Sequence, residues 1–498
     1  MKKIMKTKNS WPVLMLLLIF ASACDNKFEE INTNPNAVTE IDNEYLFANS
    51  VLETFRGNGQ KNLQFPFGSQ YAHIYVGRNN ALFIDRYFDY FESAEYKYVF
   101  EELYYGPIRL VEEVLRVTKP GGEAENPVRF AMAQVVAMIN YARLADSFGS
   151  IPYKQGGVGQ TGILYPEYDS VESIYKGMME KLKGIATLLN TANPKLAYPG
   201  ADPLYNNDLK KWARFANSFR LRLAMRARFA DPVYTKNVIA ECLAQPLIEE
   251  NGQNAVNLNQ DSDIGEFSNP IYNHYGYWLW RMSELFVDKL KSTNDPRLPL
   301  FVKPNNDGEF KGMPNGLSDA YLSEWNYDNV SAPTDLLVGK AAPTYQMAAS
   351  EVWLLRAEAA LFSIAPGDAN QLYQMGIRKS FEQWGVEAAQ IENYLTEAEY
   401  ATLKGSQEEM LEQISTQIWI GFVSNPVEAW SNIRRTGYPR IAQRTAPVFS
   451  LGVTKGVLPT RLKYPSSEVN INNANYLKAL EEQGADNILT PLWWDVRN

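Results

Sequence analysis

Residues 352–362, VWLLRAEAALF, set apolar and small side chains at three- and four-residue steps. Ala357, Ala359 and Ala360 follow Trp353 and Leu354 by one turn, a spacing that lets a second helix approach closely. The same chemistry recurs in AMAQVVAMINYARL (131–144) and in Leu209–Arg226, where Trp212, Phe215, Ala216, Phe219 and Leu223 line one face. Asn207 or Asp208 supplies a side-chain cap for the free N–H groups at the start of that helix. The helical pattern begins with Tyr45, Leu46, Asn49, Leu52 and Phe55. Stacked helix pairs are the predicted architecture, although no strict 34-residue repeat is visible.

Two stretches break the pattern. Between Gln245 and Thr344 the composition turns to Asn, Asp, Gly, Pro and aromatics, and a second irregular stretch runs from Arg444 to Asn475. These are loops, and loops on a rigid helical scaffold are where binding residues concentrate. With 498 residues, 45% hydrophobic and 21% charged, the chain can bury a large core, and residues 42–498 are expected to form one unit.

Lys2, Lys3, Lys6 and Lys8 precede the apolar run Trp11–Phe20, then Ala21, Ser22, Ala23 and Cys24. The run is shorter than the roughly 20 residues a spanning helix needs, so residues 1–23 read as a secretory signal peptide. A cysteine directly after small residues resembles the bacterial lipobox, although Ala21 stands where leucine is usual. Cys24 is therefore the expected site of lipid attachment, and polar residues 24–41 the expected tether. Cys242, left without a partner, reads as a small buried hydrophobe. Removing the four signal lysines takes the net charge from −9 to −13, which disfavours nucleic acid as a partner.

Several segments, in order, resemble the SusD/RagB family of nutrient-binding outer-membrane lipoproteins. They are Cys24 with FEEINTNPN (28–36), LADSFGSIPY (144–153), DLKKWARFANSFRLRLAMR (208–226), NDPRLP (294–299), LLRAEAAL (354–361), EAWSNIRRTGYP (428–439), LPTRLKYPSSEVNINNANY (458–476) and LWWD (492–495). Ser150 departs from the aspartate common at its position. The resemblance implies a mainly α SusD-like fold with four TPR-like helix pairs and a loop-rich ligand-binding part. It further implies a cell-surface protein, lipid-anchored in the outer membrane, that hands a nutrient to a SusC-type TonB-dependent barrel transporter.

Aromatic rings beside amides and arginine suit a sugar, whose C–H face is apolar and whose hydroxyls need hydrogen bonds. Tyr275, Tyr277, Trp278 and Trp280 in YNHYGYWLW (272–280) form one candidate cluster. Tyr75, Arg78, Asn79, Asn80 and Tyr87 form a second, within 71–90, and Trp325 with Tyr327 a third. Core packing competes for each ring. Trp430 and Trp493–Trp494–Asp495 are assigned to packing, and Arg434 and Arg435, which could make a cationic spot, are expected to be solvated or salt-bridged. Asp261, Asp263 and Glu266 alternate as calcium ligands do, but the EF-hand pattern is absent and no cofactor is expected. No G-x-S-x-G, P-loop or H-E-x-x-H occurs.

The leading reading is noncatalytic capture of a nutrient, a glycan before a peptide, followed by transfer to the transporter. The alternatives are a TPR-type protein-interaction scaffold and, behind it, a surface glycoside hydrolase built on two carboxylates.

Overall fold

The structure is a computed structural model that describes residues 42–78, 81–88, 94–264, 268–272 and 279–497. The expected signal peptide, Cys24 and the tether lie outside the described residues. No helix among the described residues is long and apolar enough to cross a membrane.

The principal helices are α1 (Asn43–Arg56), α2 (Arg109–Thr118), α3 (Pro127–Phe148), α4 (Val171–Thr191), α5 (Leu209–Ala227), α6 (Ala349–Leu361), α7 (Ala369–Gln383), α8 (Gln407–Gly421) and α9 (Pro426–Thr436). They associate as α2/α3, α4/α5, α6/α7 and α8/α9, the four TPR-like pairs that the resemblance implies. Their starts follow capping chemistry. Asn126 accepts from the N–H groups of Val128 and Arg129, Asp208 from Lys210 and Lys211, and Ser406 and Glu409 form a reciprocal box. Gly437, at φ +81°, ends α9 in the left-handed conformation that glycine adopts without strain.

Pairs two and three meet through α5 and α6, and what they bury between them is charge. Arg222 of α5 donates to Glu351 of α6 through two hydrogen bonds of 2.6 Å and stands 3.5 Å from Glu428 of α9. Arg226 bridges Glu428 and Asp146 of α3. Asp146 also accepts from Tyr175 of α4 and from the Trp494 indole at 3.0 Å. Beside them Glu358 of α6 takes Arg228 at 2.6 Å and Arg435 at 2.5 Å. All of these charged groups are buried.

Trp430 and Trp494 are closed to solvent, as assigned from sequence, and the Arg434 guanidinium lies 3.6 Å from the Trp430 ring centre. Cys242 is buried, and burial pushes its thiol up to about 12.

Between α5 and α6 the chain makes the irregular excursion expected from its composition. Its ends are tied by an antiparallel ladder between β2 (Ala255–Asn257) and β4 (Thr344–Met347), in which Val256 faces Tyr345. The Asn254 side chain accepts from Ala349 N–H at 2.8 Å, capping α6. Gln346 of β4 is gripped by the network: Arg222 donates to its carbonyl at 2.7 Å and Arg143 to its side chain. The loops therefore stand on the ionic centre.

Replacing Arg226 by Met leaves Asp146 and Glu428 buried without their shared cation. It is expected to lower unfolding free energy by about 3–5 kcal/mol, measured by urea denaturation. Burial acts to raise the Glu358 carboxyl, but Arg435 and Arg228 outweigh it and hold it at about 2, against 4.5 when free. A depressed folded pKa gives stability that is present above pH 4.5 and is lost as pH falls toward 2, worth about 3 kcal/mol. Urea midpoints between pH 2 and 6 should fall with acid, and in Glu358→Gln the pH slope over that window should lose about one proton.

Candidate functional site

An early segment is carried onto the fourth pair by close contacts. Gln64 accepts from Val427 N–H at 2.9 Å and donates to Asn425 at 2.6 Å, finishing the start of α9. Gly68 lies so near that start that a Cβ would fall 2.7 Å from the Val427 nitrogen. The Trp419 indole donates to the Ala72 carbonyl at 2.8 Å and the Tyr75 hydroxyl to the Val423 carbonyl at 3.2 Å.

From there β1 (Tyr75–Val76) pairs antiparallel with β3 (Arg281–Met282), Val76 opposite Arg281. This ladder brings residues 71–88 alongside the end of the 272–280 stretch. The third cluster closes on both. The Tyr327 hydroxyl donates to the Gly77 carbonyl at 3.3 Å, and Arg281 Nε donates to the Tyr327 carbonyl at 2.7 Å. The guanidiniums of Arg78 and Arg281 lie 4.9 and 5.6 Å from the Tyr327 ring centre. Lys311 lies 5.1 Å from the Trp325 ring centre.

Beneath this surface is a small hydrophobic cluster separate from the main core. Val76, Met313, Leu317, Tyr327 and Val330 are buried in it, with Tyr321, Leu322, Trp325, Val448 and Phe449 packed around. The second irregular stretch thus supports the platform too.

A buried polar lattice fixes these loops. Asp85 accepts from Asn315 at 2.7 Å and from Gly316 N–H at 2.5 Å, and Arg444 stands 3.7 Å from it. Asn315 also donates to the Tyr75 carbonyl and accepts from Ser283. Arg444 lies 3.6 Å from the Tyr87 ring centre. Burial, then the Arg444 charge, pushes the proton affinity of His73 well below its usual range, so the ring is neutral near pH 7. His73, Tyr87 and Leu279 take positive φ of 50°, 59° and 45°, a concentration of backbone strain around one surface.

Tyr75, Tyr87 and Trp280, expected to face a ligand, are fully buried. Tyr75 stacks on Phe65 at 5.6 Å, Trp280 meets Phe65 edge-on at 5.5 Å, and Arg444 covers Tyr87. Their rings are core. Arg78 is exposed and Trp325 half-buried, so both remain available. Asn79, Asn80, Tyr275, Tyr277 and Trp278 lie outside the described residues, as does Glu266. Asp263 pairs with Lys340, and no group of three His, Cys, Asp or Glu side chains among the described residues could hold a metal ion.

Sequence reasoning passed over Arg281, Lys311, Phe83 and Phe88. The two phenylalanines are partly exposed and meet edge-on at 6.1 Å. Recesses elsewhere are less suited to a sugar. One of about 200 Å³, lined by Lys183, Ala186, Asn217 and Arg220 among others, has no aromatic face. In another of about 300 Å³, Tyr141 and Tyr153 meet each other edge-on at 5.0 Å.

A family model described as SusD-like, starch-binding and associating with the outer membrane, matches residues 35–465. Among solved structures, a chitin-binding protein is 25% identical with a TM-score of 0.81, covering 92% of this chain and 100% of its own. A chitin-binding SusD homologue from Flavobacterium johnsoniae is 24% identical (TM-score 0.79), covering 92% of this chain and 99% of its own. A SusD-like protein from Bacteroides thetaiotaomicron is also 24% identical (TM-score 0.75), with the same shares covered. A search of curated proteins finds no match.

Asn315→Ala strips the buried Asp85 carboxylate of a donor and frees the Tyr75 carbonyl. A loss of about 1–3 kcal/mol is expected, with faster amide exchange confined to 313–330, read by calorimetry and hydrogen exchange.

Proposed function

The chain belongs to the SusD-like family, and on that premise we propose that it captures a glycan at the outer face of the outer membrane, without chemistry. It then passes the glycan to a SusC-type TonB-dependent barrel. The observation that carries the reading is the convergence of three loop segments, distant in sequence, on one platform of aromatic rings and cations above a rigid helical base. The family description as starch-binding and the chitin-binding relative support a sugar as the ligand.

Stacking supplies affinity and hydrogen bonds supply orientation. A millimolar complex needs only about 4 kcal/mol, and easy release suits a protein that must hand its cargo on. Trp325 offers the ring and Arg78 the donors, and the partly exposed Phe83 and Phe88 belong to the Arg78 segment. Lipid on Cys24, with residues 24–41 as a leash, would hold the domain at the surface while leaving it free to reach the barrel.

Calorimetric titration of the full-length protein with neutral and acidic oligosaccharides tests this. Binding should weaken about tenfold in Trp325→Ala, the equivalent of about 1.4 kcal/mol. Binding that survives in Trp325→Ala removes the platform as the site, and a flat response to every oligosaccharide removes glycan capture.

A further inference from the structure

Three cations of the platform are placed differently from the arginines of the core. The chain carries 48 Lys and Arg against 57 Asp and Glu, and four arginines buried in the core, Arg222, Arg226, Arg228 and Arg435, are spent on carboxylates. Arg78, Arg281 and Lys311 are different. Among the described residues none of the three lies within ion-pair distance of an acid.

The acids that could serve are engaged or set apart. Asp85 is held by Arg444, Asn315 and Gly316, and Asp319 pairs with Arg86 at 2.8 Å. Glu284 is the acid whose field Lys311 reaches, beyond ion-pair distance. Glu324 and Asp328 are exposed and flank Trp325 and Tyr327 in the chain, yet neither pairs with the three cations.

What the three cations do instead is lie over rings. Tyr327 is only 8% exposed, so a sugar finds little bare ring there, and the neighbouring guanidinium edges are what it would meet. Arg281 uses Nε for the Tyr327 carbonyl and Nη1 for those of Leu279 and Trp280, which fixes the plane of its fork. Nη2 has no acceptor among the described residues. That Nη2 and the Arg78 guanidinium, neither of which donates to an acceptor among the described residues, are left to meet an anionic oxygen, and the weak hydration of a guanidinium lowers the cost of that contact.

We propose that the site selects glycans bearing carboxylate or sulfate groups, with Arg78, Arg281 and Lys311 receiving the anionic oxygens. This rests on the glycan-capture reading and narrows its ligand class. Acidic sugars would be drawn to these three cations, which no acid within ion-pair distance neutralises among the described residues.

The test titrates the full-length protein with two matched pairs: oligogalacturonate against its methyl ester, and a chondroitin sulfate oligosaccharide against its desulfated form. Neutral chito- and malto-oligosaccharides complete the set. At least one acidic member should bind about tenfold more tightly than its uncharged match, and raised salt should erase the difference. The pair that responds tells carboxylate from sulfate.

Arg78→Gln with Lys311→Gln should abolish the preference while the melting temperature holds, since neither side chain donates a hydrogen bond to the fold among the described residues. Uncharged members binding as well as charged ones, or a double variant that keeps the preference, overturns the proposal. In that event neutral binding leaves glycan capture standing, whereas silence across the whole set overturns both.

Discussion

Everything in this fold stands on the pairing of Arg226 with Asp146 and Glu428. Three charges removed from water are tolerable only if each finds its counter-charge and its remaining hydrogen bonds. Here Asp146 comes from the first helical pair, Arg226 from the second and Glu428 from the fourth, and Arg222 extends the set to Glu351 of the third. Apolar helix faces can slide past one another at small cost, but a bidentate arginine cannot. The network therefore fixes the relative register of four pairs whose apolar faces would otherwise admit several.

The same centre governs the loops. Arg143 and Arg222 reach β4 through Gln346, and β4 with β2 closes the base of the irregular excursion. The early segment is clamped onto the fourth pair by Gln64, Trp419 and Tyr75. Two structures rooted on one frame then meet at β1 and β3. A platform assembled from such remote parts has its geometry set by the two roots, each hydrogen-bonded to the helical frame.

The helices were legible because periodicity is a local property. All of VWLLRAEAALF but its final Phe362 lies within α6, and the Asp208 cap lies where the sequence allows one. The family-like segments were legible as markers, though not for their reason: LADSFGSIPY, SFRLRLAMR, LLRAEAAL and EAWSNIRRTGYP each deliver a charge to the buried network. Arg434 and Arg435 read from sequence as solvated or salt-bridged, but nothing local says that Arg435 meets Glu358 in the core or that Arg434 donates to the Asp146 and Thr460 carbonyls. The platform was half legible. Composition pointed to the right stretches, and Arg78 and Trp325 lie at the surface. Which rings turn inward depends on partners far along the chain, as Tyr75 depends on Phe65 and Val423, and Trp280 on Phe65. Arg281 and Lys311 gave no signal because their role comes from rings that only folding brings near.

The β2–β4 ladder makes the excursion between the second and third pairs a cassette with a narrow neck. Chain enters and leaves through three paired residues per strand, so the distance the intervening loops must span is set there and not by their length. Because loop-closure entropy grows only with the logarithm of length, insertions beyond the neck burden the scaffold little. A lineage could exchange the exposed loops of this stretch, acquiring a different appetite, while the parts that pack on the frame, such as Phe286 on Trp419 and Arg297 on Ser380 and Gln417, pass unchanged from one diet to the next.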